Sequence, residues 1–195
     1  VGPLTFLSNA AMLVVTYIAM TIDRRMFLTR FIRIVCFFGI ISVLFWAAFC
    51  INPSLVNAWP ATSFWTQNLG TGQWATVLHG KGLWLYSYLE IHATRNCGFY
   101  TEPGVYQIVL NAALFVLLFW KKKLYFGNEK QYRTATVIVL LTLITCQSTT
   151  GYLSMMVILL CFFFMRVGER DIRMLKQKIA VLVVAITAVL ITDYW

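Results

Sequence analysis

The chain has 195 residues, 60% of them apolar and only 12% charged, with a formal net charge of +9 and a mean hydropathy of +0.75. A soluble domain clothes its surface with about a quarter charged residues. A water-soluble enzyme, a nucleic-acid-binding domain and a disordered tail are therefore excluded as first readings.

Five uncharged windows run along the chain, at 1–22, 34–51, 104–120, 134–165 and 179–192. Crossing a bilayer takes about 20 mostly apolar residues, so the expected architecture is an all-α, polytopic helical bundle in the membrane. The excess positive charge lies between the windows. Segments 23–33, 121–133 and 166–178 carry nets of +3, +4 and +3 and hold 14 of the 16 basic residues. Short loops rich in Lys and Arg stay in the cytoplasm, so the charge reads as a topology signal and no nucleic-acid partner is expected.

In chain order, window 1–22 descends to the basic 23–33 segment, and 34–51 climbs back out. The cations follow the first window instead of preceding it, the reverse of a signal peptide. Val1 and the apolar run before Trp195 read as the ends of a segment cut from a longer chain. Next comes the longest polar stretch, 52–103, opened by Asn52-Pro53 and punctuated by Pro60 and the Gly70 to Gly82 run, which argues against one continuous helix. Its aromatic content, including Trp59, Trp65, Trp74 and Trp84, suits the membrane–water interface. A loop on the outer leaflet is the preferred reading, and an aromatic platform for sugar or lipid the sharper one.

Window 104–120 returns inside, and 134–165 poses a geometric choice. As one helix its 32 residues would span roughly 48 Å, too long for a ~30 Å core without strong tilt, and would put its flanking basic segments on opposite sides. A hairpin keeps both cytoplasmic, with arms 134–147 and 152–165 and a turn over Gln147-Ser148-Thr149-Thr150-Gly151 below the outer surface. Irregular backbone at that depth survives only where protein buries it or it lines a wet cavity. Window 179–192 climbs out again. The expectation is one membrane domain over 1–195, with about six transmembrane helices and one large external loop.

Outside the basic segments few side chains can carry chemistry. The five cysteines form no CxxC pair and read as small apolar residues in helices, and no metal site is expected. His79 and Lys81 read as solvated loop residues. Arg95 and Glu102 stand apart, because they lead directly into the 104–120 span. Pro103 suits a first helical turn, and Glu102 beside it complements the helix dipole. Neither explains Arg95, with Gly98 between them. A planar guanidinium is a natural clamp for phosphate or diphosphate. Ser148, Thr149 and Thr150 either cap the following helix or line a cavity, and both readings stay open.

RNCGFYTEPGVYQ at 95–107, followed by a span, a basic loop, another span and then QSTTGYLSMMVILL at 147–160, resembles the O-antigen polymerase and O-antigen ligase superfamily. That family carries an Arg-x-x-Gly-x-x-x-Glu-Pro pattern at the end of an external loop, and a Ser/Thr-rich turn ending in Gly one hairpin later. The resemblance covers about 95–165. It implies glycosyl transfer on the outer face of a bacterial inner membrane, from an oligosaccharide on a polyprenyl diphosphate, with no cofactor, metal or nucleotide. On that model Arg95 holds the diphosphate and offsets charge on the leaving carrier. Glu102 orients Arg95 or contacts the acceptor sugar. Gly98, Tyr100, Ser148, Thr149, Thr150 and Gly151 contribute to the substrate cavity. The base for the acceptor hydroxyl is His92 or His79, unless it lies in a later external loop beyond Trp195, the preferred reading.

The leading expectation is a polymerase of lipid-linked repeat units for O-antigen, capsule or exopolysaccharide. A ligase transferring polysaccharide to lipid A core is the nearest rival. A transporter or flippase of lipid-linked sugar is the rival from another class, and a purely structural subunit leaves Arg95 and Glu102 without a task. Expected partners are the lipid-linked oligosaccharide, membrane lipids, a flippase and a chain-length regulator.

Overall fold

The computed structural model describes residues 3–58, 62–68, 74–79, 85–88, 93–100 and 102–166. Window 179–192, the basic segment 167–178 and His92 lie outside the described residues. The helices are α1 (Pro3–Ile22), α2 (Phe27–Ile51), α3 (Pro103–Phe119), α4 (Glu129–Cys146) and α5 (Thr149–Arg166). Short 3-10 turns follow α2 at Pro53–Ala58 and α3 at Lys121–Lys123. The packed body is helical. Within the 52–103 stretch, β1 (Thr62–Asn68) and β2 (Trp74–His79) pair antiparallel, with a bulge between Ser63 and Trp65. Thr, Trp, Phe and Val favour such a ladder, and Gly70 and Gly72 lie in the connection.

Of these helices, Phe27–Ile51 alone among the described residues is long and apolar enough to cross a membrane. Ala11–Ile22, Pro103–Phe119 and Thr149–Met165 are shorter apolar helices. The helices reach further into the basic segments than the uncharged windows imply. Arg30 and Arg33 belong to α2, and Lys130 and Arg133 to α4. Lys and Arg are good helix formers, and no Pro or Gly interrupts 23–33, so nothing local ends the helix where the charge begins. Asp23 instead closes the entry to α2. Its carbonyl accepts from Met26 and Phe27 N–H (3.1 and 2.8 Å), and its carboxylate meets Arg30 Nε at 2.9 Å. At α4, Asn128 accepts from Gln131 N–H (2.8 Å) while Gln131 Oε1 accepts from Gly127 N–H (2.9 Å), a reciprocal cap that satisfies two donors.

Window 134–165 is divided into two helices. Gln147 adopts left-handed backbone (φ 48°, ψ 48°), a common way to end a helix, and α5 begins at Thr149. Thr149, Thr150 and Gly151 thus form the first turn of α5 instead of an irregular loop. Ser148 is the residue that precedes the helix, and its carbonyl accepts from Gly151 and Tyr152 N–H, both at 3.1 Å.

The core joins α2, α3 and α4 through fully buried Ile32, Leu110, Leu114, Leu117, Val139 and Leu143. α2 and α4 approach closely at Gly39. A Cβ built there would sit 2.9 Å from Thr142 Oγ1 and 3.3 Å from Ile138 Cγ2. Small residues let helix backbones meet in this way.

The helix directions leave the bundle with two unlike ends. At one, the basic segments meet: Tyr125 N–H donates to Thr29 Oγ1 (2.9 Å), and Arg25 lies over the Tyr125 ring at 4.7 Å. At the other lie the C-termini of α2 and α4, the N-termini of α3 and α5, and segments 85–88 and 93–100. Tyr86 anchors the first of these on α2, between Phe45 (5.5 Å) and Phe49 (5.6 Å). Gly39→Val is expected to overpack the α2–α4 crossing and cost about 1–3 kcal/mol. A lowered thermal midpoint of the detergent-solubilised protein measures it, with Gly104→Ala as control because nothing lies within 4 Å of the Cβ built there.

Candidate functional site

Residues 93–100 are held by one buried side chain. Asn96 is fully buried. Its Nδ2 donates to Ser42 Oγ on α2 (3.2 Å) and to Thr145 Oγ1 on α4 (2.9 Å). Its backbone N–H donates to the Thr145 carbonyl (2.9 Å), and its Oδ1 accepts from Gly98 N–H (2.9 Å). Ser42 Oγ is also 3.1 Å from the Tyr106 hydroxyl on α3. The network thereby ties the loop to three helices. Trp46 Nε1 adds a bond to the Thr94 carbonyl (2.7 Å), and Ser87 N–H one to the Gly98 carbonyl (2.5 Å).

Gly98 has a structural reason to lack a side chain. Its φ of +59° is left-handed, and a Cβ would fall 2.6 Å from the Tyr106 ring. Tyr100 is half-buried, stacked on Tyr106 (5.6 Å) and tilted against Phe99 (4.3 Å), so its ring belongs to an aromatic cluster at the top of α3.

Arg95 lies next to Asn96, partly exposed. Glu102 is exposed at the N-cap of α3 in extended backbone, with Pro103 at the first turn, and its carboxylate caps no helix N–H. Both act on Cys97, which is completely buried. Burial pushes the Cys97 thiol up to about 12, with the Glu102 carboxylate adding to the rise and the Arg95 guanidinium opposing it. Guanidinium and carboxylate therefore flank one short stretch of chain at the end of the bundle away from the basic segments.

Beside this loop a cleft of about 390 Å³ opens between α3 and α5. It brings Glu102 together with Thr150 and Gly151, distant in sequence but adjacent in space. Ser148 is buried and lies 3.2 Å from the Thr150 hydroxyl, and Thr149 is exposed. Arg95, Gly98 and Tyr100 belong to the neighbouring loop, not to the cleft lining. His79 closes β2, paired in register with Thr62. His92 lies outside the described residues. No three His, Cys, Asp or Glu side chains converge on a metal-sized site among the described residues.

Three contributors escape a reading of the sequence by charge: Asn96, Gln107 and Asn111. Gln107 and Asn111 are buried, and both line the cleft. They are the two amides in the apolar 104–120 window and are spaced four apart, which places them on one face of a helix. That spacing is the available signal, since polar side chains inside an apolar span are costly unless they serve packing or function.

The arrangement defines a class in outline: a helical bundle with a cation-bearing loop and an amide-lined cleft at one end and clustered basic residues at the other. No protein-family model, curated protein or solved structure matches the chain.

The loop geometry makes a direct test. Cys97 is expected to resist a thiol-reactive maleimide at pH 8 in the folded protein and to react fully once unfolded in detergent. Asn96→Ala removes the bonds to Ser42, Thr145 and Gly98, at a cost of about 1–3 kcal/mol, and is expected to speed that labelling at least about tenfold. Rapid labelling of the unsubstituted protein would contradict the burial.

Proposed function

We propose that the chain is an integral membrane glycosyltransferase that polymerises oligosaccharide repeat units carried on a polyprenyl diphosphate. It works on the external face of a bacterial inner membrane and makes O-antigen, capsule or exopolysaccharide. The observation that carries the reading is the position of Arg95. The buried Asn96 network fixes its loop at the end of the bundle opposite the basic residues of 23–33 and 121–133.

The membrane setting draws support from what the helices expose. On α1, Leu13 is 73% and Ile22 81% exposed; on α2, Leu44 is 65% exposed; on α3, Ile108 is 69% exposed. Apolar surface on this scale faces lipid or protein, not water. The buried positions meanwhile include Thr29, Ser42, Asn96, Gln107 and Thr142. In this reading α1, α2, α3, α4 and α5 all cross the bilayer and window 179–192 supplies a sixth span, with 52–103 as the external loop. Their ends at Lys121–Lys123, Arg33 and Arg133 sit in the cytoplasmic interface.

The chemistry is displacement at an anomeric carbon. The acceptor hydroxyl oxygen bonds to that carbon, the bond from carbon to phosphate oxygen breaks, and the polyprenyl diphosphate leaves with the electron pair. The hydroxyl proton passes to a base, for which His92, His79 and a residue of a later external loop are the candidates. Arg95 offers a planar, permanently charged group to the diphosphate, where negative charge grows as the bond breaks. Glu102, free of any capping duty, is available to accept from sugar hydroxyls. Burial of Asn96 and Cys97 fixes the backbone that carries Arg95 before substrate arrives.

Arg95→Ala is expected to lower polymer formation at least about 100-fold while membrane insertion and protein level persist, and Arg95→Lys to recover part of the loss. Chain length of surface polysaccharide on a gel, in cells relying on the variant, measures it. Full-length polymer from Arg95→Ala would sink the proposal.

A further inference from the structure

We propose that the cleft between α3 and α5 is a binding subsite for an uncharged, hydroxyl-rich saccharide, held by the side-chain amides of Gln107 and Asn111. The ligand class deepens the glycosyl-transfer reading and rests on it. The existence of a polar subsite rests on the geometry alone.

Gln107 is 1% exposed, yet neither its Oε1 nor its Nε2 has a hydrogen-bond partner. Asn111, 6% exposed, donates from Nδ2 to the Gly151 carbonyl (3.1 Å), while its Oδ1 has none. Buried amides are almost always satisfied, and an unsatisfied one is costly enough to need a reason. Gluing helices together is one such reason, and the bond from Asn111 to Gly151 does that. It leaves Gln107 unexplained.

The seat of Gln107 is cut for it. A Cβ on Gly151 would lie 1.3 Å from Gln107 Oε1 and 1.9 Å from its Cδ, so α5 presents bare backbone where the amide sits. Any side chain at 151 displaces it.

The lining decides what the subsite takes. Glu102 stands at the cleft with the hydroxyl-bearing Thr150 and Ser154, and no lysine or arginine lines it among the described residues. A phosphate group would meet a carboxylate there with no compensating cation. Sugar hydroxyls both donate and accept, and an amide offers both functions side by side. The volume of about 390 Å³ lies in the range of about 300–1,000 Å³ typical of small-molecule sites. Division of labour follows: Arg95 in the adjoining loop takes the anionic carrier group, and the amide cleft takes the sugar beside it.

The test uses the full chain in lipid nanodiscs. Saturation-transfer NMR is run with a panel of free neutral mono- and disaccharides, and with inorganic pyrophosphate as the anionic probe. At least one sugar is expected to receive saturation from the unsubstituted protein. Gln107→Met keeps the length and removes the polar atoms. It is expected to weaken that sugar at least tenfold with an unchanged or raised thermal midpoint, because it relieves an unsatisfied burial. Gly151→Ala is expected to weaken that sugar likewise by displacing Gln107, and Arg95→Ala to leave sugar binding intact. Three outcomes overturn the proposal: no sugar bound by the unsubstituted protein, equal sugar binding by Gln107→Met, or pyrophosphate as the probe that depends on Gln107. Retention of polymer by Arg95→Ala would remove the polymerase reading without touching this result.

Discussion

Everything at the end of the bundle that carries Arg95 depends on how a loop can be made rigid beside helices that offer mainly apolar surface. Asn96 solves it with one side chain. Completely buried, it spends its amide on Ser42, Thr145 and Gly98, and the second bond of Ser42 carries the network on to Tyr106. A buried network of this kind holds one geometry when all its members are satisfied and is costly when any is lost. Arg95 and Cys97 are its immediate neighbours in the chain, so their positions are inherited from it.

The same contrast runs through the bundle. Leucines and valines at the α2, α3 and α4 crossing supply cohesion without direction. Direction comes from a few polar or absent side chains: Gly39 against Thr142, Gly98 against Tyr106, Gly151 against Gln107. Each glycine lies where another group needs the space, and the last two place side chains at the site. The basic end uses a different device, exposed ion pairs such as Lys121 with Glu129 at 2.8 Å. Pairs of this type contribute little to stability.

The division between what could and could not be read in advance follows the range of the physics. Local signals spoke clearly. Pro103 starts α3, the break after Cys146 divides an over-long apolar window, and Arg95 and Glu102 stood out because charge is rare there. α2 and α4 extend beyond the uncharged windows, since charged residues end an apolar window without ending a helix. The placement of Thr149 to Gly151 in the first turn of α5 was not apparent either, because a Ser/Thr cluster suits a cap and a loop equally. Asn96, Gln107 and Asn111 were hidden for another reason. Asn96 and Asn111 bond to groups 40 to 54 residues away, and Gln107 lies against Gly151; no periodicity within a window reports such a neighbour.

Those separations also set an order of assembly. The two-residue connection between α4 and α5 allows that pair to meet as soon as both are made. The loop before α3 has no such freedom. Its asparagine waits for a threonine 49 positions further along the chain, and closure over long stretches of chain comes late. During synthesis, then, the loop that carries Arg95 takes up its place only after the fourth helix has emerged and docked. A nascent or clipped chain lacking that helix would leave the loop without its anchor, so the geometry of residues 93–100 is a property of the completed bundle and not of the loop itself.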